Sequence, residues 1–203
     1  MKCFNSGCSF TSPGIVKDEE MYWYYLAKDK GCTSFTNASK PGSSNELIFR
    51  RIYDHVLSNV HDVTFYIINL SSLNRIELEN SQSDKLQEIL LPAALIRYDF
   101  EIVELSLFTQ LIGIISFLNF YNKDFYIINN SKELSSTPFP LRDRFIEFLK
   151  KEPRALNLFK FSKFNFHKDI SHIKPVDYDL YGWAGHDNSD GHCAYYSMLK
   201  TLI

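Results

Sequence analysis

Apolar residues recur near helical spacing at Ile48, Ile52, Val56 and Val60, and then become continuous over Val63–Leu70. The first pattern predicts an amphipathic helix over 46–60. The second is a short β-rich apolar run of the kind that forms a strand buried on both faces. Ser43 and Glu46 stand at capping-box spacing and place the helix start there. The same succession recurs downstream: an apolar helical stretch over 107–121 precedes Phe125-Tyr126-Ile127-Ile128-Asn129, a pentapeptide identical to Phe65–Asn69. Two helix-then-strand units in one chain imply parallel strands flanked by helices.

The remaining pattern fills in around these units. A helix over 18–30 begins with Asp18, Glu19 and Glu20 and ends with Lys28, Lys30 and Gly31, an order that suits the helix dipole and glycine termination. Its consecutive aromatics, Tyr22 to Tyr25, cannot share one face. A Ser/Thr/Asn/Gly/Pro-rich loop follows over 33–45. A short helix is expected over 83–91, ended by Pro92. Strict alternation over Ile96–Ile102 predicts a strand with one wet face. Pro140 opens a predicted helix over 141–151. Phe159-Lys160-Phe161 and Phe164-Asn165-Phe166 alternate as a hairpin would, and a helix over 191–203 is expected, capped by Asp190. The expected fold is therefore α/β, a single domain over 1–203 with a mixed or partly parallel sheet flanked by helices. Its less regular parts are the N-terminal 1–44 and a strand, loop and helix segment over 155–203.

Composition changes this picture little. A chain of 203 residues, 45% hydrophobic and 23% charged, has enough apolar surface for its own core without a disulfide or metal staple. Leu105–Asn122 carries no charge over 18 residues, yet it contains Ser106, Thr109, Gln110, Ser116, Asn119 and Asn122. It reads as a buried helix and not as a membrane span. The four cysteines, Cys3, Cys8, Cys32 and Cys193, follow a polar N-terminus without a secretory pattern. Reduced thiols and a cytoplasmic location are the expectation.

Charge does separate the function classes. The net charge of −2 argues against global attraction to nucleic acid or acidic lipid. Locally, nine Lys/Arg stand against four acids between Pro140 and Pro175, and the sign then reverses through Asp177, Asp179, Asp187 and Asp190. Together with 17 Phe and 12 Tyr and no complete catalytic motif, this favours a macromolecule-binding protein whose partner is another protein, as an inhibitor, immunity-type or accessory factor. No GxGxxG, no GxxxxGK[ST] and no GxSxG is present, so no cofactor is implied.

Three candidate sites stand beside that expectation. On loop 181–193, Cys193 with His186, His192 and Asp187 forms the material of a hydrolase: a thiol in the first turn of a helix is acidified, and an imidazole can deprotonate it. The same loop, with Asp190, holds metal-ligating residue types, but its spacing is generic turn composition and no metal site is assigned. Asn69, Ser71, Asn129 and Ser131 follow or end the two predicted strands, where open parallel sheets bind ligands. Lys160, Lys163, Phe161 and Phe164 interleave rings and bases as single-strand nucleic-acid surfaces do; a two-sided strand gives the same pattern, and the net charge favours the strand.

Overall fold

The computed structural model describes residues 1–12, 16–71, 75–78, 87–90, 93–129, 151 and 189–200. Four parallel strands form one sheet: β1 (Lys2–Ser6), β2 (Ser34–Asn37), β3 (Thr64–Leu70) and β6 (Asp124–Asn129), in the order β2-β1-β3-β6. A separate antiparallel pair, β4 (Arg75–Leu78) with β5 (Gln87–Leu90), lies between β3 and β6 in sequence. The helices are α1 (Tyr22–Asp29), α2 (Asn45–Ser58), α3 (Ala93–Phe120) and α4 (Ser189–Lys200).

The sheet divides the described core into two layers. On one face, Phe4, Tyr66, Ile68, Phe125 and Ile127 pack against Ile48, Ile52 and Val56 of α2 and against Leu107, Leu111, Ile114 and Leu118 of α3. On the other, Cys3, Phe65, Ile67, Tyr126 and Ile128 pack against Tyr22, Trp23 and Leu26 of α1 and Tyr195 and Leu199 of α4. Each fully buried aliphatic side chain contributes roughly 1.5–3 kcal/mol, so both layers are needed to hold the central strands. Within the uncharged 105–122 stretch one helix face is buried, through Leu107, Phe108, Leu111, Ile114, Ile115 and Leu118, while Ser106, Thr109, Ser116 and Asn119 are exposed. No helix among the described residues is long and apolar enough to cross a membrane.

The two helix-then-strand units are present as α2–β3 and α3–β6, and their strands are neighbours. Their register is offset by one residue: Tyr66 opposes Phe125, and Ile67 opposes Tyr126. Because side chains alternate across a strand, the offset sends Phe65 into the α1/α4 layer and Phe125 into the α2/α3 layer. Identical pentapeptides are read on opposite faces.

Local expectations fared unevenly. The α2 cap is Ser44, whose hydroxyl accepts from Leu47 N–H at 3.2 Å; the Ser43 hydroxyl instead donates to the Lys40 carbonyl at 2.9 Å. The predicted strand 96–102 is helix, the N-terminal part of α3. Its alternation lost to continuation of the long apolar helix, since each residue added to a formed helix gains a hydrogen bond without a new nucleus. The predicted helix 83–91 is in part the strand β5, paired with β4. Helix α3 stops where Asn122 takes a left-handed φ of 51°, a conformation asparagine tolerates. Of the predicted helix over 141–151 only Lys151 is described, in a turn, and the predicted strands over 159–166 lie outside the described residues.

Candidate functional site

From β1 the chain crosses to β2 on one side, and from β2 it returns past β1 to β3 on the other. In a parallel sheet such a reversal opens a crevice at the carboxyl ends of the two central strands, here β1 and β3. The residues leaving those ends are Ser6-Gly7-Cys8-Ser9 and Asn69-Leu70-Ser71.

Gly7 lets the chain turn sharply there. A Cβ at this position would stand 2.3 Å from Thr11 Oγ1, 2.9 Å from Asn69 Cβ and 3.3 Å from Ser39 Oγ. With no side chain at Gly7, a 3-10 turn over Ser9–Thr11 packs directly onto the end of β3. Ser9 is buried, and its Oγ has no hydrogen-bond partner among the described residues. Burying a hydroxyl without a partner costs free energy, so such a group at a strand end is a candidate for work on a ligand.

The crevice floor on the α1/α4 face is a row of amides, one from each of three adjacent strands. Asn69 donates to Asn5 Oδ1 at 2.7 Å, and Asn5 donates to Asn37 Oδ1 at 2.9 Å and to Ser39 Oγ at 3.0 Å. Asn37 in turn donates to Asp18 Oδ1 at 2.6 Å and to the Thr11 carbonyl at 2.8 Å. At the other end, the Tyr22 hydroxyl donates to Asn69 Oδ1 at 2.5 Å. The Tyr22 ring lies 5.6 Å from the His192 imidazole, which is itself buried. A helix from the end of the chain thereby brings a histidine to the side of the sheet on which these strand-end amides lie.

Of the residues singled out from sequence, the structure brings His192 and Asn69 into this one network. Ser71 lies at the same strand end, its N–H donating to Asn45 Oδ1 at 2.8 Å. Asn129 ends β6 opposite Leu70, one register step from Asn69. Cys193 is exposed and lies beside Tyr25. Consecutive helical residues are about 100° apart, so burying His192 turns Cys193 away. The other thiols, Cys3, Cys8 and Cys32, are buried; hydrogen bonding to Cys32, reinforced by burial, pushes the Cys3 thiol well up, and the same bond lowers Cys32. His186, Asp187, Ser131, Lys160, Phe161, Lys163 and Phe164 lie outside the described residues. Among the described residues no three His, Cys, Asp or Glu side chains gather to hold a metal ion.

Ser9 escapes a search for catalytic motifs because its neighbours fit no GxSxG elbow. The available signal was a glycine and a serine, two residues apart, directly after the N-terminal segment Met1–Ser6.

The α/β architecture matches that of several solved esterases over nearly the whole chain. A member of the lipolytic protein G-D-S-L family from Veillonella parvula superposes with a TM-score of 0.54 at 11% identity, over 100% of this chain and 96% of that one. The acetylxylan esterase Axe2 from Geobacillus stearothermophilus gives 0.53 at 13%, over 99% and 93%. The psychrotrophic esterase EstA from Pseudoalteromonas sp., in a structure inhibited by monoethylphosphonate, gives 0.51 at 12%, over 99% and 95%. Two Axe2 structures are of catalytic mutants, one with a serine at its position 15 and one with an aspartate at its position 191 replaced by alanine. No protein-family model and no curated protein sequence matches the chain. The expectation of a macromolecule-binding protein is corrected by these neighbours, which are lipolytic proteins and esterases. The aromatic load behind it lies in good part in the core, and the charge asymmetry falls almost wholly outside the described residues.

Proposed function

We propose that this protein is a serine hydrolase acting on carboxylic esters, with Ser9 as nucleophile and His192 as general base. The observation that carries this reading is the buried Ser9 hydroxyl, without a partner among the described residues, at the β1/β3 crevice whose amide row leads through Asn69 and Tyr22 to His192. The esterase neighbours support the reaction class. The serine replaced in the Axe2 catalytic mutant, early in that chain, resembles Ser9 in its placement along this one.

In the reaction, Ser9 Oγ attacks the ester carbonyl as its proton passes to His192. The tetrahedral adduct expels the alcohol, which takes that proton from the imidazolium, and an acyl-serine remains. Water then attacks the acyl-serine, His192 accepts its proton and returns it to Ser9, and the carboxylic acid leaves. We keep the cytoplasmic location within the proposal; the free thiols support it.

The test is hydrolysis of p-nitrophenyl acetate and butyrate by purified protein, with a fluorophosphonate probe mapped by mass spectrometry. Turnover and labelling at Ser9, both abolished in Ser9→Ala, are expected. A protein that neither hydrolyses these esters nor takes the label, or that keeps both in Ser9→Ala, is not this enzyme.

A further inference from the structure

We infer that Tyr22 is the positioning residue for His192: its ring seats the imidazole, and a one-way run of amides ending at Asp18 anchors its hydroxyl. The inference rests on the hydrolase reading above and names a residue for it on α1, away from the nucleophile turn.

Every donor in the run points the same way. Tyr22 donates to Asn69, Asn69 to Asn5, Asn5 to Asn37 and Asn37 to Asp18, at 2.5, 2.7, 2.9 and 2.6 Å. Hydrogen bonds aligned head to tail polarise one another, and this run ends on a carboxylate, a strong acceptor. Asp18 opens the 3-10 turn that leads into α1, and Tyr22 is the first residue of α1, so the run closes on the segment where it began. Asn5 and Asn69 are fully buried and Asn37 is part-buried. The amides have little freedom, and the Tyr22 hydroxyl is fixed relative to the ends of three strands.

The ring then fixes α4. His192 and Tyr195, three residues apart on one helix face, both lie against it, with centroids at 5.6 and 5.5 Å and interplanar angles of 32° and 17°. Rotating α4 by one residue about its axis, about 100°, would exchange His192 for Cys193. The Tyr22 ring therefore selects which side chain α4 offers to the crevice. A base displaced by about 1 Å from its reacting hydroxyl loses on the order of 100-fold in rate, so the anchoring has a kinetic signature.

The experiment compares wild type, Tyr22→Phe and Tyr22→Leu by steady-state kinetics on p-nitrophenyl butyrate against pH, by fluorophosphonate labelling rate, and by NMR of the His192 imidazole. Tyr22→Phe keeps the ring and frees it from Asn69. It is expected to lower kcat about 10-fold with KM within about twofold, to move the pH limb that reports the base, and to slow Ser9 labelling in parallel. Tyr22→Leu is expected to lower kcat about 100-fold. The wild type is expected to show a nuclear Overhauser contact between the Tyr22 ring and the His192 imidazole, which requires no variant to fold. A Tyr22→Phe enzyme with wild-type kcat and pH profile, or a wild type without that contact, overturns the inference and leaves the hydrolase reading standing. A wild type that neither hydrolyses ester nor takes the label rejects the hydrolase reading itself, and the positioning role with it.

Discussion

Gly7 lies so close to Asn69 that a Cβ at position 7 would stand 2.9 Å from the Asn69 Cβ. The Asn69 Cβ is set by the backbone of a fully buried strand, and Thr11, only 2.3 Å from the same point, is held by its bond to Ser39 Oγ at 3.0 Å. The Asn69 Cβ cannot yield by a side-chain rotation, and rotating Thr11 breaks its bond to Ser39. Gly7→Ala is expected to destabilise the fold by about 1–3 kcal/mol, the usual cost of overpacking. It should also lower ester hydrolysis beyond what lost stability explains, because the turn that must move carries Ser9. Urea unfolding and initial rates well below Tm check both halves. A variant as stable and active as wild type would mean that the turn relaxes freely.

Asn45 clamps the start of α2 to the chain leaving β3. Its amide donates to the Ser71 carbonyl at 3.1 Å and accepts from the Ser71 N–H at 2.8 Å. Both groups are buried, so truncation removes two buried hydrogen bonds to the Ser71 backbone. Asn45→Ala should cost about 2–3 kcal/mol, and Asn45→Asp at least as much at neutral pH, since its carboxylate keeps the acceptor but sets a charged oxygen against the Ser71 carbonyl. An Asn45→Asp variant clearly more stable than Asn45→Ala by chemical denaturation would show that the bond to the carbonyl carries no weight.

Much of this fold was legible in the sequence. The continuous apolar run at 64–70 has no polar alternation, and that alone places it between two layers. The failures share a cause. Ile96–Ile102 alternates as a strand does, but its local pattern was outweighed by an apolar helix continuing to Phe120. The repeat at Phe65 and Phe125 is real in composition, while its register depends on neighbouring strands that no local pattern encodes. The site was half legible. His192 stood out as an imidazole on a glycine-punctuated loop. The serine proposed as its partner lies near the other end of the chain, at a crevice that depends on the strand order 2-1-3. Cys193 drew notice for its chemistry, but helix geometry assigns the buried face to His192.

Lys123 sets a test at the opposite end of the sheet. Its ammonium is buried and donates to the carbonyls of Asp62 at 2.6 Å, Val60 at 2.7 Å and Asn59 at 3.5 Å, just past the end of α2. Lys123→Met keeps the aliphatic stem and removes the charge-assisted bonds. A loss of about 2 kcal/mol is expected, near the usual value for hydrogen bonds to a charged group. The change lies far along the strands from Ser9, so ester hydrolysis at a temperature where the variant is folded should be unchanged. Loss of activity in a fully folded Lys123→Met would show the two ends of the sheet to be coupled.

His55 gives the fold a pH dependence whose sign can be worked out. Its Nδ1 pairs with the Tyr66 hydroxyl at 2.9 Å, and its ring lies 3.9 Å from that of Phe4. Burial pushes the imidazole below the ordinary histidine range; Asp62 opposes this shift, and Lys2 and Lys123 add to it. The folded state therefore resists a proton that the unfolded chain accepts near its ordinary value of about 6.5. Stability is full above that value and falls as pH drops from there toward the lower folded pKa. Asp62 acts in a separate, more acidic window: the Lys2 hydrogen bond holds its carboxyl below the usual range, so its contribution is lost only under stronger acid. His55→Gln removes the first titration. The variant is expected to be less stable than wild type at pH 7.5, with the difference shrinking as pH falls to about 5. Urea midpoints across that range read the difference directly, and a gap that stays constant with pH would mean that His55 titrates alike in both states.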